Sequence, residues 1–408
     1  MLHSKLGRVM NLVYHHSVFF ALMGTTLRIR SFKDTIRLDK LSRTYLLYSL
    51  FTSTFMFLNI YFMVPRVLLE GYMKYNIVLQ INFFVMIFRR LMSVLCCYLT
   101  IWLKRRKIIQ LYKNTLIYWK RFRNIMDAIV NKQDLKDLQI SLARTMIQEI
   151  MVLYATFMFS ALVQYQLLSV VNKRSLLALS IRLIHFLHFL AVKMGFYGLL
   201  ILLNHQFMVI HLALNSLHRN KRRAKKRKAL RSIATMHLET LQLARSIFGI
   251  YNVINTAVFI DMFLATINIL YHAVQISNET IKSDGWGVVC GNGLILFNIL
   301  GTLMFMEMLD KVVTSCNNTG QTIRQFSDLP SVNKTLQREL DIFTMELKRN
   351  HLVIKICGLV ELDKPFCLTF IASILSNVII LMQFDLKGQQ QPNHPQNLTH
   401  LISNQSHV

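Results

Sequence analysis

Ser376-Asn377-Val378-Ile379-Ile380-Leu381-Met382-Gln383-Phe384 ends the last apolar run of this chain, and its reading decides the fold. Five apolar residues separate a polar pair from a terminal Gln-Phe. The run from Phe366 to Phe384 carries no charge and needs only modest tilt to cross a hydrocarbon core of ~30 Å. Lipid offers the Gln383 amide no hydrogen-bond partner, so it must meet water or another polar group. The whole composition points the same way. Hydrophobic residues make up 53% of the 408 and charged residues only 16%, with a mean hydropathy of +0.38. A soluble chain of this length would struggle to hide that much apolar surface. The six cysteines, several of them inside apolar runs, read as buried thiols rather than a disulfide framework. The first apolar stretch, Val13 to Leu27, is short, is broken by His15 and His16 and lacks a cleavage site, so no cleaved leader is expected.

Hydropathy places seven spans. They run roughly over Thr44 to Val64, Asn76 to Leu103, Met146 to Val171, Ile181 to Leu212, Phe248 to Ile276, Val288 to Met308 and Phe366 to Phe384. Several exceed the length a bilayer needs, so their ends should project as helices into water. Residues 1–43 are helix-compatible and amphipathic, which places them on the cytoplasmic membrane surface. The spans and their loops form one domain over 44–384, followed by a tail over 385–408. No fixed-period repeat and no inverted pair of broken helices stands out.

A net charge of +27 cannot sit in hydrocarbon, and its distribution fixes orientation. Lys and Arg number 8 up to Arg43, 11 over Lys104 to Arg144, 10 over Arg219 to Arg245 and 8 over Lys311 to Lys364. These alternate segments hold 37 of the 47 basic residues, and the opposite connections and tail hold 7. Basic loops stay in the cytoplasm, so the amino terminus is inside and, after seven spans, the carboxyl terminus is outside. The basic run Arg219 to Lys228 therefore meets anionic inner-leaflet lipid rather than nucleic acid. Three sequons fall outside, at Asn278, Asn397 and Asn404, and are candidate glycosylation sites. Two more, at Asn317 and Asn333, fall inside, where no glycan is added. The sequence contains no phosphate loop, no Cys-x-x-Cys and no Gly-x-Ser-x-Gly, so no enzyme is expected. No cofactor or metal is expected either, since His185 and His188 lack a third ligand.

The Ser376 to Phe384 pattern resembles the C-terminal signature of insect gustatory receptors, written TYhhhhhQF with h apolar. The spacer, Gln383 and Phe384 match, while Ser376 and Asn377 replace its Thr and Tyr. The stretch Lys355 to Asp363 also looks like that family's approach to its last helix. The resemblance implies an all-α membrane protein with seven transmembrane helices in inverted topology, assembled as a tetrameric channel. It further implies a tastant-gated cation channel in the plasma membrane of gustatory neurons, on dendrites and cell bodies. The subunits would be identical or related, forming a homo- or heterotetramer, and the partners a small-molecule tastant and membrane lipid.

Carried over by position, Gln383 sits at the pore constriction and Phe384 beside it as part of the gate. Asp385, just outside, would form a ring that concentrates cations at the outer mouth, with Glu361 and Asp363 as inner rings. An anchor region over about 309–365 would join subunits, through a helix over Thr335 to Leu352 with Leu336, Leu340, Phe343 and Leu347 on one face. That same face also suits packing on its own subunit. The tastant pocket is expected among the second to sixth spans, whose polar candidates include Arg89, Tyr154, Tyr165, His185, Lys193, Tyr251 and Asp261. Arg89 and Arg90 are adjacent, so one is expected to pair with Asp261 while the other snorkels. The alternatives are a seven-span secondary transporter and, more remotely, a G-protein-coupled receptor. The latter requires the opposite orientation and an Asp-Arg-Tyr that the third span lacks. An epitope tag after Val408 should be reached by antibody on intact cells while an amino-terminal tag stays hidden. A hidden carboxyl terminus on protein proven to be at the surface would overturn both the span count and the orientation.

Overall fold

No proline falls between Pro65 and Pro330, and the described chain over that interval is almost wholly helical. Proline removes a backbone donor and clashes with the preceding turn, so its absence lets helices run far beyond usual lengths. The computed structural model describes residues 4–24, 27–30, 35–38, 43–63, 77–170, 176–219, 223–278, 284–327, 334–356, 358, 360–362 and 364–390. Its elements are α1 (Ser4–Phe19), a two-stranded antiparallel pair β1 (Leu27–Arg30) and β2 (Thr35–Leu38), α2 (Arg43–Leu58), α3 (Ile77–Leu103), α4 (Arg105–Met126), α5 (Lys132–Val170) and α6 (Leu176–Arg219). Then come α7 (Arg223–Ser277), α8 (Gly285–Asn317), α9 (Thr319–Ser327), α10 (Lys334–Arg349), a short antiparallel pair β3 (Lys355–Ile356) and β4 (Val360–Glu361), and α11 (Lys364–Gln390).

Among the described residues six helices are long and apolar enough to cross a membrane: α3, α5, α6, α7, α8 and α11. The seventh crossing is composite. Its 16 residues in α2 continue as a 3-10 turn, Asn59–Met63. At helical rises the two parts span roughly 24 Å and about 10 Å, together enough for the hydrocarbon core. Leu47, Phe51, Phe55 and Leu58 line one exposed face of α2, which suits lipid. The 44 residues of α6 and 55 of α7 extend over roughly 66 and 83 Å, more than twice that core. Their surplus lies at the end of α6 and the start of α7, the side that the basic segments mark as cytoplasmic.

Helix contacts explain which residues are small. Gly293 of α8 faces Phe159 of α5, and a Cβ there would lie 2.6 Å from the phenyl ring. Only glycine permits that approach. Asp284 caps α8 by accepting from the Gly287 amide at 2.8 Å. On the cytoplasmic side α4, α9, α10 and the β3–β4 turn cover the extended ends of α6, α7 and α8. Gly358 makes that turn at a φ of 75°, which other residues rarely adopt. The Asn317 side chain clamps the Leu352 main chain from both sides, at 3.0 and 2.9 Å. Deeper, His237 contacts the Cys316 carbonyl at 3.3 Å and the Thr319 hydroxyl at 3.1 Å, between the rings of Phe207 and Phe343.

Two expectations change, and an alternative left open is decided. Helix α1 does not lie on the membrane surface: Leu6, Val13 and Phe20 are buried and the helix packs on α5 and α6. It is pinned there by a 2.6 Å hydrogen bond between His16 and Tyr154, and the Phe20 carbonyl accepts from Tyr98. An apolar stripe that can meet protein gains packing that a headgroup layer does not supply. Residues 27–30 and 35–38 also form strands rather than continuing helix. Finally, Leu340, Phe343 and Leu347 of α10 are buried in their own subunit, leaving Ile342 and Met345 as the exposed apolar pair.

Burial holds the His237 imidazole down to about 4, with the Cys316 carbonyl partly opposing and His211 adding to the effect. A depressed histidine contributes its stability in full above the ordinary 6.5 and loses it as pH falls toward 4. The thermal midpoint of the purified protein should therefore drop across that window, and less steeply in His237→Gln. An identical slope in the variant would remove His237 as the cause.

Candidate functional site

Helices α3, α5, α6, α7 and α8 enclose a cavity of about 300 Å³. It begins at Gln166, Arg182 and Asp284, near the outer helix ends, and reaches Leu153, Lys193 and Gly301 in mid-span. Its wall is mainly Phe, Leu, Ile and Met, interrupted by four cations. Asp261 on α7 lies between two of these. Arg89 donates from Nη1 to the Asp261 main-chain carbonyl at 2.7 Å and lies 3.1 Å from Oδ1. Arg90 Nη1 stands 3.7 Å from Oδ2, with its guanidinium over Phe186 and Phe189 at 5.3 and 5.0 Å. Both adjacent arginines are therefore buried on one carboxylate, and neither snorkels.

Lys193 and Arg182 share one face of α6. Lys193 Nζ donates to the Gly301 carbonyl at 3.0 Å and lies 3.7 Å from Glu149. Arg182 donates from Nε and Nη2 to the Met63 carbonyl at 3.0 and 2.9 Å, beside Phe83. Charges at mid-membrane cost about 2.5–3.5 kcal/mol each on insertion scales, so this many in one place mark a polar interior with a purpose.

Of the residues that the sequence singles out, the structure brings Arg89, Lys193 and Asp261 together in the cavity. It places the others elsewhere. Tyr154 faces α1 through His16, and Tyr251 bonds Tyr112 at 3.1 Å near the cytoplasmic end. Tyr165 is 41% exposed, and buried His185 is not part of the wall. Arg182, at the very edge of its span and not singled out, is also a cavity cation. Its spacing from Phe186, Leu190 and Lys193 is the signal that finds it, since these repeat on one helical face.

The last helix forms the second feature. Phe370, Ile374, Val378 and Asp385 make its buried stripe, against α7 and α3. Asp385 accepts from Gln275 at 2.6 Å and is only 8% exposed, so its carboxylate turns into its own subunit. That orientation runs against an outer ring of Asp385 carboxylates. Gln383 and Phe384 are exposed, as are Ser376 and Asn377. Seven residues make nearly two turns, so Thr369, Ser376 and Gln383 form one polar line along the exposed side. Asn377 bonds the Ser373 carbonyl at 2.8 Å and so satisfies its own amide locally. Glu361 pairs with Lys355 across β3–β4 at 3.0 Å, and Asp363 lies outside the described residues. Asn278 is exposed at the end of α7, whereas Asn397 and Asn404 lie outside the described residues.

The structure thus combines a helical membrane bundle, a charged cavity within it and an incompletely covered last helix. The model of the 7tm chemosensory receptor family matches residues 10–388. Over its full length the chain is 65% identical to a Drosophila melanogaster protein described as gustatory receptor 58b, all of which is covered. A second relative from that organism, described as gustatory receptor 58a, is 23% identical over 78% of this chain and 84% of its own. The chain belongs to the insect gustatory receptor family of 7tm chemosensory receptors. Its fold is that of the insect olfactory receptor OR5 from Machilis hrabei, solved alone and in complex with eugenol. The eugenol complex superposes with a TM-score of 0.66 at 12% identity, covering 94% of this chain and 98% of that one. The unliganded form gives 0.64 at 13% identity, covering 93% and 98%.

Removing Asp261 leaves two buried guanidiniums without their carboxylate. Asp261→Ala should destabilise the purified receptor by roughly 3–5 kcal/mol, the usual consequence of breaking a buried pair from one side. Arg89→Gln combined with Asp261→Asn should lose less. Equal losses would mean that the carboxylate does not hold the arginines in place.

Proposed function

We propose that this chain is a tastant-gated cation channel of gustatory neurons, working in the plasma membrane as a homo- or heterotetramer. The single observation that carries the reading is the state of α11. It crosses the membrane with one stripe buried and with Thr369, Ser376 and Gln383 on the side that its own subunit leaves open. Thr369 returns its hydroxyl to the Pro365 carbonyl at 3.0 Å, but facing lipid the Gln383 amide would be unsatisfied. Facing the same helix from other subunits, the three residues line a water-filled path. Gln383 then supplies a ring of amides that replaces part of an ion's water shell, and the neighbouring Phe384 ring closes the path by dewetting. Asp385 serves differently: bonded to Gln275, it fixes the rotation of the helix that presents Gln383. Subunit contact on the cytoplasmic side falls to the exposed Ile342 and Met345 of α10 rather than to its buried stripe.

The cavity holds the ligand in this reading. Arg89, Asp261 and Lys193 form its polar floor, and α7, which carries Asp261, also packs along α11. A ligand that draws on Asp261 or its partners thus acts on the helix against which the pore helix rests. Membrane patches from cells expressing the receptor should pass tastant-evoked cation currents without added nucleotides, as a coupled receptor would not. Gln383→Leu should change unitary conductance or ion preference at unchanged surface expression. Currents with identical conductance and selectivity in that variant would take Gln383 out of the pore.

A further inference from the structure

The cavity has a sign. Arg89, Arg90, Arg182 and Lys193 line it, while Asp261, Asp284 and Glu149 beside Lys193 are the carboxylates that accompany them. Those carboxylates are unevenly used. Asp261 sits closest to Arg89, Glu149 is the neighbour of Lys193, and Asp284 is occupied at the α8 cap with the Gly287 amide and Gln166. Arg90 shares Asp261 only at 3.7 Å, an ion pair short of a hydrogen bond, and Arg182 has no carboxylate partner among the described residues. Arg90 is 9% exposed, and its Nη1 is buried with no hydrogen-bond partner. Arg182 meets only a main-chain carbonyl through Nε and Nη2. Both guanidiniums lie against aromatic faces, which stabilise a cation but leave its in-plane donors free.

We infer that the cavity takes an organic acid, an anionic carboxylate carrying an apolar tail, with the carboxylate forked by Arg90 and drawn in from the mouth by Arg182. This rests on the reading of the cavity as the ligand site. Arginine presents paired donors matched to a carboxylate, and a desolvated hydrogen-bonded ion pair is stronger than a neutral contact. The apolar remainder of the wall, with Phe83, Phe186 and Leu294, suits a hydrocarbon tail. The volume of about 300 Å³ sets a small ligand rather than a two-chain lipid.

The test uses the full-length receptor in phosphatidylcholine nanodiscs and four ligands of equal tail: octanoate, octanamide, octanol and octylamine. Octanoate should bind about tenfold or more tighter than octanamide, the scale of a hydrogen bond to a charged group. Arg90→Gln should erase that preference, lowering octanoate binding to the level of octanamide, while octanol binding, which needs no anion, persists and shows that the variant folds. Arg90→Lys should keep part of the preference, and Arg182→Gln should weaken octanoate only about threefold, the scale of a partly exposed charge contact. Equal binding of octanoate and octanamide to the wild type overturns the inference. So does a loss in Arg90→Gln that falls equally on all four ligands. Competition from phosphatidylglycerol added to the nanodisc would assign the arginines to a lipid headgroup and equally overturn it. Gly291→Phe separates the acid question from the site question. A Cβ at Gly291 meets nothing within 4 Å and the residue lines the cavity, so a phenyl ring fills it. If Gly291→Phe blocks every ligand while octanoate shows no advantage, the site stands and the acid falls. If binding survives Gly291→Phe, the site itself falls.

Discussion

Asp261 holds two guanidiniums, and Glu149 neighbours an ammonium, at a depth where lipid offers no partner. That constraint organises the bundle. Arg89 and Arg90 tie α3 to α7, which are far apart in sequence, and Glu149 with Lys193 joins the consecutive α5 and α6. Lys193 then reaches the Gly301 carbonyl on α8, so one cation links three helices. Hydrophobic force does little to bring helices together in lipid, where packing and polar contacts must serve instead. The charges therefore draw the helices to a common centre and, because they cannot close-pack like methyl groups, leave a cavity there.

Around that centre the helices differ in how completely they are covered. The α6 helix is enclosed by α1, α5, α7, α8 and α9, and it carries two of the cavity cations. The α11 helix meets chiefly α7 and α3 and leaves most of its surface open. The contrast divides the subunit into a well-covered bundle around the cavity and a last helix with an open face. Asp385 marks the junction. Its bond to Gln275 on α7 ties the outer end of α11 to the bundle. The cytoplasmic layer works at the other end, where long extensions of α6, α7 and α8 are bound together by buried histidine, threonine and asparagine contacts.

Much of this was legible in the sequence, for reasons that can be named. Long, predominantly apolar runs mark the crossings, and the alternation of basic loops sets their direction. An aspartate in the fifth span and two arginines in the second required partners, and the pairing of one arginine with Asp261 followed, though not which one, nor that both share it. Other features were not legible. The apolar face of α1 has the same pattern whether it meets headgroups or α5 and α6. The stripe on α10 reads equally as a contact between subunits or within one. Arg182 sits near a span boundary, where a one-turn error changes its role from loop charge to cavity wall. The two arginines at 89 and 90 diverge along their helix, yet a single carboxylate between them reaches both, at 3.1 Å from Arg89 and 3.7 Å from Arg90.

The sequence by itself determined the number of crossings, their direction, the helical class and the polar end of the last helix. Each of these depends on residue type and spacing against a slab of fixed thickness and charge preference. Only the tertiary structure decided which charges share a cavity and which tyrosines and histidines merely pack. It also turned Asp385 inward while leaving Gln383 and Phe384 uncovered. Those outcomes depend on helix rotation, which is set by the sum of many side-chain contacts between segments distant in sequence, and no local pattern carries that sum.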